Sequence, residues 1–170
     1  MIKRILIVGV GLIVLIIAFV IIKGLVSGGG NSAAMLIVVQ DQQELIHLST
    51  AAAIQPNISS SNKNFALTTQ LVITSEQSQL RTYLAKQGQK ITLKQRNLKI
   101  SSAIDSQLTS AITSNSYDTT FQSVMKSQLT NYATALQVAY KQSPGTNARK
   151  LLTSQYNSAV LLQQQLSTAQ

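Results

Sequence analysis

The chain has 170 residues, no cysteine and a formal net charge of +9, with 14 Lys and Arg against 5 Asp and Glu. Disulfides, zinc-thiolate centres and thiol nucleophiles are therefore excluded, as is a lipoprotein anchor, which needs a cysteine to acylate. Charged residues make up only 11% of the chain, so its polar surface is built mainly from Gln, Ser, Thr and Asn and should respond little to salt.

The first element is Ile5 to Ile22, an unbroken apolar run with Lys3 and Arg4 before it and Lys23 after it. As a helix it reaches about 27 Å, close to the roughly 30 Å hydrocarbon core of a bilayer. The run predicts a single transmembrane helix within an anchor over residues 1–26. Because Lys and Arg accumulate on the cytoplasmic side, the N-terminus is expected inside and Asn31 to Gln170 outside. The expected localisation is the cell membrane, single-pass, with an extracytoplasmic C-terminal domain. A cleaved signal peptide is the competing reading. Its apolar stretch usually runs about 7 to 15 residues and ends at an Ala-x-Ala-like site, and Val26-Ser27-Gly28 fits that pattern only loosely.

Residues 27–32, SGGGNS, read as a short flexible linker, and residues 33–170 as one helical domain. From Ala33 to Gln55, Val38, Leu45, Leu48 and Ala52 recur at helical steps until Pro56. After a Ser/Asn-rich turn over residues 57–64, Phe65, Thr69, Val72, Ile73, Leu80, Tyr83 and Leu84 mark a second helix that stops at Gly88. Leu93, Ile100, Ile104, Leu108 and Ala111 describe a shorter, partly irregular piece. Ser116 or Asp118 can cap the next helix, whose stripe is Phe121, Val124, Met125, Leu129, Tyr132, Leu136 and Ala139. Ser143-Pro144-Gly145 breaks it, and Ala148, Leu152, Ala159, Leu162 and Leu166 line the last helix.

No stretch alternates with period two, so the expected fold class is all-α. Four long apolar stripes predict an extracytoplasmic up-down four-helix bundle with an extra short helix. Neither a phosphate-binding glycine loop nor an internal repeat is visible.

Asp41-x-x-Glu44-x-x-His47 is the best candidate for a site, because three-residue steps set side chains on successive turns of one helix face. Glu-x-x-His is also the half-motif with which ferritin-like bundles hold paired metals. Glu44 and His47, joined by Glu76 from the second helix, are the candidate metal ligands; with one His and five acids, an ordinary polar edge is the competing reading. No serine has an evident imidazole partner and no carboxylate pair stands out, so an enzyme is not expected and no cofactor is implied.

Arg81, Lys86, Lys90, Lys94, Arg96 and Lys99 form a basic segment without an acid. It reads either as a surface for anionic lipid or cell-wall polymer, or as a solvated helix end with cations near a C-terminus. Nucleic acid is disfavoured as a partner, since only Tyr83 is nearby to stack on a base.

Several stretches carry a family likeness: ELIHLSTAAA from Glu44, Phe65-Ala66, RTYLAKQG to Ile91-Thr92-Leu93, then Tyr117-Asp118, Phe121 and Met125. Through them, most of Glu44 to Leu166 resembles the ferritin-like exported bacterial bundles known only as domain of unknown function 4142. The resemblance implies an exported or surface helical bundle with no assigned reaction. Positions where that family commonly carries histidine fall here on Ile73, Leu129 and Leu162, which can only pack. The expected role is therefore structural or protein-interacting in the cell envelope, with the membrane and another envelope protein or a second copy as partners. A ferritin-like metal-binding or stress-related protein is the alternative.

Overall fold

A helix starts earlier than the glycine-rich approach suggests. In the computed structural model, which describes residues 30–168, helix α1 spans Gly30–Ala53. Residues 30–32, expected as linker, are thus already helical, while the expected anchor and residues 27–29 lie outside the described residues. Among the described residues no helix is long and apolar enough to cross a membrane.

Helix α2, Ser60–Lys86, begins five residues before Phe65, because Ser59 caps it by accepting from the Asn62 backbone N–H. Its end follows from Gly88, whose φ of +78° lets the Gly88 and Gln89 amides bond back to the Ala85 and Leu84 carbonyls at 3.0 and 2.9 Å. Such a left-handed residue satisfies carbonyls that the helix itself leaves without donors.

The irregular piece resolves into three short elements. Helix α3, Leu93–Arg96, opens on a capping box between Thr92 and Gln95; a single 3₁₀ turn follows over Asn97–Lys99; and α4 spans Ser102–Thr113 behind a Ser101 cap. Leu93, expected on the buried stripe, is 60% exposed, since a four-residue helix turns only one short face inward. Helices α5, Tyr117–Gln142, and α6, Thr146–Thr168, complete the chain.

Side-chain pairs fix how these elements run. Asp118, at the start of α5, accepts hydrogen bonds from the Ser59 amide at 3.1 Å and the Ser59 hydroxyl at 3.0 Å, at the start of α2. Helices α2 and α5 therefore begin at the same end of the molecule. At the other end Gln89 reaches Ser32, near the start of α1. Between these ends Gln40 donates to the Gln95 carbonyl at 2.9 Å, Lys99 meets Asp41 and His47 meets Asp105, so residues 89–116 climb alongside α1 in its own direction.

The four long helices thus run up, down, down, up, with one long crossover in place of a third tight hairpin. The strictly alternating order implied by a simple up-down bundle does not occur. Each helix still neighbours two antiparallel partners, α1 between α2 and α5 and α6 closing the square. We call the end holding the start of α1 basal and the opposite end distal.

The core is one continuous cluster that includes Leu45, Ile73, Phe121, Leu129, Leu136 and Leu152. Met35, Val38 and Val39 are buried in it, so the apolar opening of α1 packs inside the bundle. With α2 and α5 on two sides and the crossover on a third, α1 buries even its polar residues Gln40, Asp41, Gln42 and Glu44. Such groups require partners or cost free energy, and this requirement shapes the candidate sites.

Candidate functional site

Halfway along the bundle each long helix contributes one polar side chain to the interior. Gln42 of α1 donates through Nε2 to the Tyr132 hydroxyl at 2.9 Å and to Gln155 Oε1 at 3.1 Å. Tyr132 of α5 donates to Glu76 Oε2 of α2 at 2.8 Å, and Gln155 of α6 donates to the Glu76 backbone carbonyl at 2.9 Å. All four are buried.

Burial pushes the Glu76 carboxyl up to about 7, against hydrogen bonds from Tyr132 and Ser158 that pull it down. Burial, with the Glu76 charge beside it, likewise holds the Tyr132 phenol well above its ordinary value. Tyr132 therefore stays protonated and serves as donor. Within this layer the four side chains bond to one another, the buried Gln42 Oε1 being left over, and the arrangement specifies how four helices align more readily than it performs a reaction.

A second polar strip lies between α1 and the crossover. Lys99 Nζ sits 2.5 Å from Asp41 Oδ1, and burial raises the Asp41 carboxyl while Lys99 lowers it. One turn further, Glu44 is only 2% exposed, with the Ser101 backbone N–H of the crossover as its hydrogen-bonding neighbour. Burial raises it to about 7, with the nearby His47 pulling the other way. His47 in turn pairs with Asp105 of α4 at 2.9 Å. The strip can hold or release a proton at Glu44 and ties the crossover to α1 at two levels.

The proposed ligand trio is divided between these places. Glu44 and His47 share the crossover strip, as their three-residue spacing predicts, but Glu76 is engaged with Tyr132 in the central layer. Among the described residues no group of three or more His, Asp or Glu side chains is placed to hold a metal ion.

The basic segment is divided too. Lys99 is taken up by Asp41, and Arg96 is half-buried, donating to Gln77 Oε1 at 3.3 Å. Arg81, Lys86, Lys90 and Lys94 remain exposed. Ile73, Leu129 and Leu162 are all buried in the apolar core.

Gln42, Tyr132 and Gln155 escape a sequence search for chemistry, yet a signal exists. Gln155 falls in the step 148, 152, 155, 159, 162 of the α6 stripe, and Glu76 likewise in 69, 73, 76, 80 of α2. A polar residue occupying a stripe position is a core residue that needs a partner. Either Ser116 or Asp118 is the cap that the sequence offers for α5. Ser116 precedes α5 without a side-chain cap, and the Asp118 carboxylate instead serves the start of α2.

From the distal end to about mid-height a shallow open groove of mixed lining lies over α5 and α6, bordered by Asn62, Asp118, Gln122, Lys126, Thr130, Gln163 and Leu166. Comparison of the chain with protein-family models, curated proteins and solved structures finds no match.

Proposed function

We propose that this protein is a membrane-anchored, non-enzymatic helical bundle of the cell envelope, displayed outside the membrane to contact another envelope protein or a second copy of itself. The observation that carries the reading is polarity of placement. The chain enters the bundle at the basal end, after the apolar run Ile5 to Ile22, while the open groove runs from mid-height to the distal end, away from that entry. An anchor of that length would hold the basal end toward the bilayer and leave the groove facing outward. The single long crossover is the connection found in ferritin-like bundles and agrees with the family likeness of the sequence. The interior, however, holds a hydrogen-bonded layer of Gln, Tyr and Glu.

The test is site-specific photocrosslinking of the full chain in intact membranes, with the reactive group at Gln122 or Gln163 in the groove. A discrete adduct formed there, and not from Thr50 on the opposite face, supports the proposal. No adduct, together with turnover by the purified protein, defeats it. Stoichiometric metal in the purified chain, lost in His47→Ala, would replace this reading with the ferritin-like metal-binding one.

A further inference from the structure

We propose that the basal end of the bundle is a cationic face that seats on the anionic phospholipid headgroups of the membrane, so that the domain stands docked on the bilayer instead of swinging from a tether. The proposal rests on the anchored reading given above. Of the 14 Lys and Arg in the chain, Lys3, Arg4 and Lys23 precede the described residues, leaving 11. The crossover geometry collects five of these at one end.

Lys86 closes α2 and Lys90 follows it, beside the Gln89 contact to Ser32. Lys141 closes α5, and Arg149 and Lys150 occupy the first turns of α6. Because α5 begins beside Ser59 at the distal end and runs 26 residues, or about 39 Å, its C-terminus and the following turn come back to the basal end. Thus two segments more than 50 residues apart in sequence present five exposed cations on one face. Arg81 and Lys94 are exposed on the flanks just above it.

No acid offsets them there. Asp41, Glu44 and Glu76 are buried at least 10 residues along their helices from that end, Asp105 pairs with His47 and Asp118 is distal. Arg149 also fixes the turn it stands on, donating to the Ser143 carbonyl at 2.7 Å and lying over the Tyr140 ring at 5.4 Å. The face is therefore carried on helix ends of defined geometry.

Reach decides which anionic surface it meets. Only seven residues, 23–29, separate the apolar run from α1, and in any conformation they span no more than about 25 Å. A flexible chain of that length averages about 14 Å, comparable to the Debye length of about 8 to 10 Å within which such charges feel a surface. The headgroups of the bilayer holding the anchor are thus always nearby. Each Lys or Arg near an anionic bilayer strengthens binding about five-fold, so losing three should weaken docking about 100-fold.

The experiment uses the full chain reconstituted into vesicles of phosphatidylcholine alone or with phosphatidylglycerol, carrying a fluorophore on Gln87→Cys and a headgroup quencher in the lipid. Retention in the vesicle pellet at high salt reports the anchor separately from docking. The expected result is retention in both lipids, with strong quenching only where phosphatidylglycerol is present, relieved by salt and by Lys86→Gln/Lys90→Gln/Lys141→Gln. Equal quenching in neutral lipid, or quenching indifferent to salt and to the triple substitution, would overturn the proposal while leaving the anchor standing. Binding of soluble polyphosphate with no quenching on phosphatidylglycerol would overturn it in favour of an envelope polymer. Release from both vesicles at high salt would instead sink the anchored reading on which it rests.

Discussion

Replacing Glu76 by Gln tests the central polar layer through its pH dependence. In the folded protein burial raises this carboxyl from 4.5 to about 7, whereas in the unfolded chain it returns to its ordinary value. A raised acid favours the protonated folded state, so its contribution to stability is complete below about pH 4.5, falls as pH rises, and is gone above about pH 7. At 1.36 kcal/mol per unit, a rise of about 2.5 units sets an upper figure of about 3 kcal/mol, and solvent screening reduces this to about 2 kcal/mol. Glu44 and Asp41 shift in the same direction, so Glu76→Gln should remove only part of the slope. The amide oxygen of Gln can still accept from Tyr132, so the layer is preserved in shape. Urea unfolding of the full chain in mild detergent, followed by circular dichroism from pH 4 to 8, measures this. The variant should exceed the parent in stability at pH 8 and lose that advantage by pH 4.5. Equal slopes in the two proteins would refute the assignment of a buried, proton-holding Glu76.

Three further substitutions probe other joints, each read by thermal or urea unfolding of the same full chain. Asp118→Ala removes the carboxylate that serves the Ser59 amide and hydroxyl and the Asn62 side chain, and should cost about 1 to 2 kcal/mol with fraying confined to the start of α2. The hydrogen bonds hold this carboxyl below its ordinary value against a raising effect of burial, so its contribution is present above about pH 4 and fades as pH falls. Lys99→Met leaves Asp41 buried without its cation and should cost about 3 kcal/mol at neutral pH, less in acid, where Asp41 takes up a proton. Gly88→Ala meets no atom within 4 Å, so its cost should be the left-handed backbone penalty alone, about 1 kcal/mol.

The long helices were legible because their stripes are nearly unbroken: Phe121 through Ala139, and Ala148 through Leu166, are buried as their spacing requires. Gly88 and the Ser143-Pro144-Gly145 break are read locally, since both act through backbone conformation. The path of the crossover was not legible. It depends on Asp41 meeting Lys99 and His47 meeting Asp105, pairs 58 residues apart whose members look like ordinary surface charges in sequence. For the same reason Asp41-x-x-Glu44-x-x-His47 announced a polar face correctly but not what covers it. Spacing along one helix says which side chains align; it does not say which neighbour arrives opposite. Glu76 shows the converse, because its place on the α2 stripe marked it for the interior, where the Tyr132 hydroxyl takes up its carboxylate. The basal cationic face was half legible: Lys86 and Lys90 stood out as a cluster, while Lys141, Arg149 and Lys150 join them only through the fold.

The account turns on which way the bundle faces, and the absence of native cysteine makes that directly measurable. Single cysteines at Ser123, distal, and Gln87, basal, should be exposed in intact cells to a membrane-impermeant maleimide. The account predicts rapid labelling at Ser123, slow labelling at Gln87 that high salt accelerates, and both proteins retained in the membrane fraction. Labelling of Ser123 only after lysis, or a mature N-terminus near residues 27–31 with the protein released from the membrane, would contradict it.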